Sequence, residues 1–165
     1  MGSKKFGRGV AVVGAGMSKF GVFPGRASRD LFVEAFQDMR DSVDKGIDPK
    51  DIETLFIGNC TSDLFEKQGH TAPLMADWVG LTPRPATRVE DACASGGVAF
   101  RQGIMAIASG MYDIVLVGGF EKMTESKYAK YILKTPKGHL HDGTLFEGFL
   151  ASPEKLGVDC QILFS

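Results

Sequence analysis

Cysteine is scarce in this chain: Cys60, Cys93 and Cys160 are an odd number with no CxxC spacing. This fits a reducing, cytoplasmic setting better than a disulfide scaffold. Long apolar runs are missing too, so no stretch suits a bilayer span, and the opening MGSKKFGRG lacks the apolar centre of a secretory signal. Neither sign of charge dominates, with 19 basic against 20 acidic side chains. No nucleic-acid or membrane partner is expected from such a balance, which leaves a small molecule or another protein. No G-x-S-x-G elbow occurs, which disfavours a serine hydrolase. Internal repeats and low-complexity segments are likewise absent.

What is present reads as one α/β domain, since 165 residues support one core. Short apolar runs alternate with stretches of helical period, the order of a mostly parallel sheet. Strands are expected at Gly9–Gly14, Thr54–Gly58, Ala86–Val89 and Asp113–Val117. All four are apolar on both faces, as strands covered by helices should be. A helix is expected over Ser28–Val43, capped by Ser28 or Asp30, with Leu31, Ala35, Phe36, Met39 and Val43 as its buried stripe. A second spans Thr71–Val79 and stops at Gly80; a third follows Cys93 and stops at Ser109–Gly110. Residues 1–119 form the core of this reading, and residues 120–165, without sustained period, form an excursion and tail.

Two features imitate binding motifs. GAGMSKFG follows the first expected strand, but a dinucleotide fingerprint needs glycine where Lys19 stands. His139 and His141 form an HxH pair without the carboxylates or cysteines that would complete a metal site, so no metal is expected. His70 precedes a helix and helps to start it.

Cys93 is different. In VEDACASGGVAF an extended run ends at a cysteine and very small residues lead into a helix. A thiolate is the reactive form of cysteine, and the partial positive charge at a helix N-terminus favours it. Ala92, Ala94, Ser95, Gly96 and Gly97 keep bulk from the sulfur, so a carbonyl could reach backbone N–H groups able to stabilise an oxyanion. The competing reading is a buried cysteine packed by small neighbours.

The set VAVVGAGMSKFG, FIGNC, EDACASGGVAF and YDIVLVGGFEKMTE resembles the N-terminal half of the thiolase superfamily, nearest to the archaeal and sterol-carrier-protein-2-like acetyl-CoA acetyltransferases. The likeness runs from Val10 to about Thr124 and fades through LFEGFL. It implies a mixed, mostly parallel sheet with helices on both faces, its fifth strand in Leu145–Leu150 or Gln161–Phe164. It also implies that Cys93 accepts an acyl group from a short acyl-CoA thioester, two acetyl-CoA giving acetoacetyl-CoA and CoA. No cofactor is implied beyond coenzyme A as part of the substrate, and the CoA-binding residues stay open. Gly118, Gly119, Glu121 and Met123 match a structural signature, and Asn59 and Cys60 fall near the family's dimer region without a catalytic role. The C-terminal catalytic motifs of the family have no match here; Cys160 lacks their glycine two positions on. The expectation is therefore a nucleophile-bearing half, inactive alone, in a homo-oligomer or with a second chain supplying the other half. By the same resemblance a hydroxymethylglutaryl-CoA synthase and a zinc scaffold protein are potential partners. The alternatives are a non-catalytic thiolase-like domain for assembly or acyl-CoA binding, and a relative of the ketoacyl synthases or hydroxymethylglutaryl-CoA synthases.

Overall fold

A computed structural model of the chain describes residues 7–123. The elements run α1 (Ser28–Ser42), β1 (Thr54–Gly58), α2 (Ser62–Phe65), α3 (Thr71–Trp78), β2 (Ala86–Val89), α4 (Ser95–Ala108) and β3 (Val115–Gly119). Single 3-10 turns at Pro49–Asp51 and Ala92–Ala94 precede β1 and α4.

The strands pair in parallel in the order β2-β1-β3, with Leu55 beside Ala86 and Leu116. Alternation along a strand sends neighbouring side chains to opposite faces. Leu55, Ile57 and Leu116 enter one core with Leu31, Phe36 and Met39 of α1 and Met75 of α3. On the other face Gly58 meets the start of α4, and Gly103 of α4 meets Val115 and Val117. Helices therefore cover both sides, as the α/β reading requires. Because α4 approaches through Gly96, Ala99, Gly103 and Ala106, its backbone lies close to the sheet. Met105 is left exposed on its outer side.

The helix ends follow their sequence signals. Gly80 and Gly110 adopt φ of 78° and 80°, and each closes a helix with the paired reverse bonds of a Schellman motif. Leu81 N–H donates to the Ala76 carbonyl at 2.8 Å, and Met111 N–H to that of Ala106 at 3.1 Å. At the start of α1 the cap position is Ala27 rather than Ser28 or Asp30. Asp30 still contributes, accepting the Ala27 N–H at 2.9 Å from the third helical position.

One expected strand does not form. Gly9–Gly14 joins no ladder, and the described chain has no regular element before α1. A groove of about 660 Å³, lined by Val10, Val12, Phe100, Ile104, Val115 and Val117 among others, borders this segment. Without a paired neighbour, its apolar residues do not make a strand; Val12 and Val13 stay exposed. The stretch that follows is instead held by α1. Ser42, Asp38 and Glu34, four residues apart on one helix face, accept the N–H groups of Ala15, Met17 and Lys19 at 2.9, 2.9 and 3.1 Å. The segment that imitated a nucleotide loop is thus a strap along a helix.

The fourth expected strand forms two residues later than its apolar run. The Asp113 and Ile114 N–H groups donate to the Glu53 carboxylate, and the ladder begins at Val115 opposite Thr54. Past β3 the core continues: Phe120 is buried and meets Phe32 edge to face, ring centres 6.1 Å apart. The expected fifth strand, His139, His141 and Cys160 lie outside the described residues. Among the described residues, no helix is long and apolar enough to cross a membrane.

Candidate functional site

The C-terminal ends of β1, β2 and β3 converge on the start of α4. Parallel pairing brings Gly58, Val89 and Gly119 to one level, and the connections leaving them carry most of the polar groups around the site.

Cys93 lies two residues ahead of α4, inside the 3-10 turn Ala92–Ala94, and its thiol is free and exposed. This exposure differs from the buried arrangement of the competing reading. The turn is sharply built. Ala92 has φ of 46°, a left-handed conformation unusual for a residue with a Cβ and costing on the order of 1–3 kcal/mol. Local bonds hold it. Ala92 N–H donates to Glu90 Oε1 at 2.6 Å, Asp91 N–H to Ser95 Oγ at 2.8 Å, and Ser95 Oγ to the Ala92 carbonyl at 2.8 Å. Ala94 N–H reaches the Asp91 carbonyl at 2.8 Å. Among the described residues no acceptor is bonded to the Cys93 N–H.

Small residues make the arrangement possible. A Cβ on Gly58 would stand 2.6 Å from the Gly96 nitrogen, whereas Gly97 has open space beside it. The first of these glycines seats the helix on the strand.

Behind the turn stands a buried polar cluster. Glu121 follows β3, and its carboxylate accepts from the Cys60 and Thr61 N–H groups, the Thr61 hydroxyl and the Asn59 amide. Asn59 also donates to the Phe120 carbonyl at 2.8 Å. Arg88 of β2 clamps the same loop, donating to the Asn59 and Cys60 carbonyls at 2.9 Å each and to Asp63 at 3.1 Å. Burial pushes the Glu121 carboxyl above the ordinary carboxylate range, and the hydrogen bonds from Thr61 and Cys60 oppose that push.

Cys60 is half-buried, and its thiol is pushed up to about 12, first by burial and then by the negative charges of Glu121 and Glu90. Cys93 also lies near enough to add a small further push. A thiol held neutral in this way is a poor nucleophile, which agrees with a non-catalytic role.

The Gly118–Gly119 and Glu121 signature thus has a definite physical role, with glycines at the strand end and an acid that organises the loop after β1. Sequence reasoning placed these residues together but missed the contacts of Glu121, Arg88 and Glu90. Only Glu90 carried a signal, through its place in VEDACASGG. Among the described residues no group of three potential metal ligands comes together.

Comparison with known proteins agrees with this architecture. The N-terminal domain of thiolases matches residues 10–156, further along the chain than the motifs alone reach. Acetyl-CoA acetyltransferases of Methanothermobacter thermautotrophicus and Methanocaldococcus jannaschii are 48% and 49% identical over 118 residues, 72% of this chain. A thiolase from Ascaris suum, solved in complex with coenzyme A, shares the fold over 69% of this chain with a TM-score of 0.60 at 18% identity. The chain spans about 30% of the length of each of these proteins.

Proposed function

Because this chain belongs to the thiolase family, we propose that it carries the nucleophile of a thiolase-type acyltransferase acting on short acyl-CoA thioesters. The observation that supports this most is the exposed Cys93 thiol, carried on a tight turn at the mouth of α4.

In this reading the Cys93 thiolate attacks the thioester carbonyl. The acyl group passes to sulfur and coenzyme A leaves as its thiol after taking up a proton. During attack the carbonyl oxygen gathers negative charge, which in this reading the Cys93 N–H and the positive end of α4 would stabilise. In the second step an acetyl-CoA carbanion takes the acyl group and gives acetoacetyl-CoA. The general base and second oxyanion site for that step are proposed to come from outside the described residues, within which His70 is the one histidine and stands exposed before α3. Losing a general base costs about 10²–10⁴ in rate, so residues 7–123 by themselves would turn over very slowly.

Mass spectrometry after incubation with acetyl-CoA tests the first step. A gain of one acetyl group on Cys93, absent in Cys93→Ser, is expected. No adduct at neutral pH would favour the second reading, a thiolase-like domain serving assembly, which the outward Met105 of α4 favours.

A further inference from the structure

We propose that Glu90 is a positioning residue, whose carboxylate locks the left-handed Ala92 turn and thereby sets the direction of Cys93. The functional meaning of this rests on the acyl-transfer reading of Cys93 given above, but the geometry stands separately.

Four of the five bonds that shape the turn are made by backbone carbonyls or by Ser95, which the helix itself carries. They fix Asp91, Ala94 and the Ala92 carbonyl. The Ala92 N–H is left to Glu90 Oε1 alone, at 2.6 Å. This bond joins the end of β2 to the strained residue just before the thiol. A left-handed alanine relaxes readily toward ordinary backbone when nothing holds it. Relaxation would rotate the peptide between Ala92 and Cys93, and with it the Cys93 N–H. That N–H has no internal partner among the described residues, so its direction is set by the turn alone.

The Cys60 thiol lies near the same carboxylate. The loop after β1, anchored by Glu121 and Arg88, thus lies beside the carboxylate that holds the nucleophile turn. Glu90 touches neither the thiol nor a reacting atom in this account. It keeps Cys93 N–H and Sγ presented together.

The test compares the full chain with Glu90→Ala and Glu90→Gln, since glutamine keeps an acceptor oxygen for the Ala92 N–H. Amide exchange by NMR reads the turn; intact-mass kinetics read acetyl transfer from acetyl-CoA and alkylation by iodoacetamide at Cys93. In Glu90→Ala the Ala92 amide is expected to exchange about tenfold faster and acetyl transfer to fall about tenfold, with alkylation within roughly threefold of the parent; Glu90→Gln restores both. Unchanged Ala92 exchange in Glu90→Ala would overturn the proposal. Equal losses of acetylation and alkylation would do the same, because they report general disruption. If the parent chain takes no acetyl group while Ala92 exchange responds as described, the acyl-transfer reading falls and the positioning by Glu90 stands.

Discussion

Gly58 and Gly96 touch where the end of β1 meets the first turn of α4: a Cβ on Gly58 would lie 2.6 Å from the Gly96 nitrogen. This contact between backbones sets the height of α4 on the sheet and hence the position of the Cys93 turn. Gly58→Ala should therefore force the helix start outward. Overpacking of this kind costs about 1–3 kcal/mol, to be read from the midpoint of urea unfolding. Gly97→Ala, inside α4 with nothing within 4 Å of the new methyl, serves as the control and should raise stability by up to about 1 kcal/mol rather than lower it.

Glu121 offers a second test. Its carboxylate collects donors from Asn59, Cys60 and Thr61 in a nearly closed environment. Glu121→Ala leaves those donors facing an apolar void, at a cost of about 3 kcal/mol. Glu121→Gln retains one acceptor oxygen and should lose less. Denaturant unfolding of the two variants checks the order.

Cys60 makes stability depend on pH on the alkaline side. Its thiol is raised in the folded chain from 9.0 to about 12. Above pH 9 the unfolded state releases this proton while the folded state keeps it, so unfolding becomes more favourable as pH rises. The contribution is fully present below pH 9 and is lost as pH approaches 12. Cys60→Ala should flatten the decline in unfolding free energy between about pH 9 and 11 relative to the parent, measured by urea titration at each pH. A parallel decline in both proteins would contradict the shift.

Ala92→Gly removes the steric cost of a positive φ and should raise stability by up to about 1 kcal/mol. The same change loosens the turn that carries Cys93. Acetyl transfer should therefore fall while the melting temperature rises, a combination that simple damage to the fold would not produce.

Gly16 sits against the backbone of Ala35 and Met39, which allows the strap to lie flat on α1. Gly16→Ala should lift the strap, and proteolytic cleavage between residues 7 and 20 should become faster while α1 to β3 stay resistant.

Much of this was legible in sequence because it is local. The glycine stops at Gly80 and Gly110 work through a single backbone angle each, and β1 and β2 match their apolar runs residue for residue. Cys93 could be singled out for the same reason: small residues, a strand end and a helix start are all within a dozen positions. Gly9–Gly14 departs from its expectation because an apolar run states a preference for burial, whereas a strand needs a hydrogen-bonded neighbour, and among the described residues none is in place beside it. The β3 shift has a similar origin, since Glu53, sixty positions away, captures the Asp113 N–H before the ladder can start.

The order of local residues therefore determined on its own where the helices stop, where β1 and β2 lie, and which cysteine stands at a helix mouth. Tertiary structure alone decided that Arg88 clamps the carbonyls of Asn59 and Cys60, that Glu121 gathers the loop after β1, and that α1 holds the N-terminal strap. Those outcomes depend on distances and angles closed by folding, most of them between residues far apart in the chain, and such geometry leaves no periodic or compositional trace.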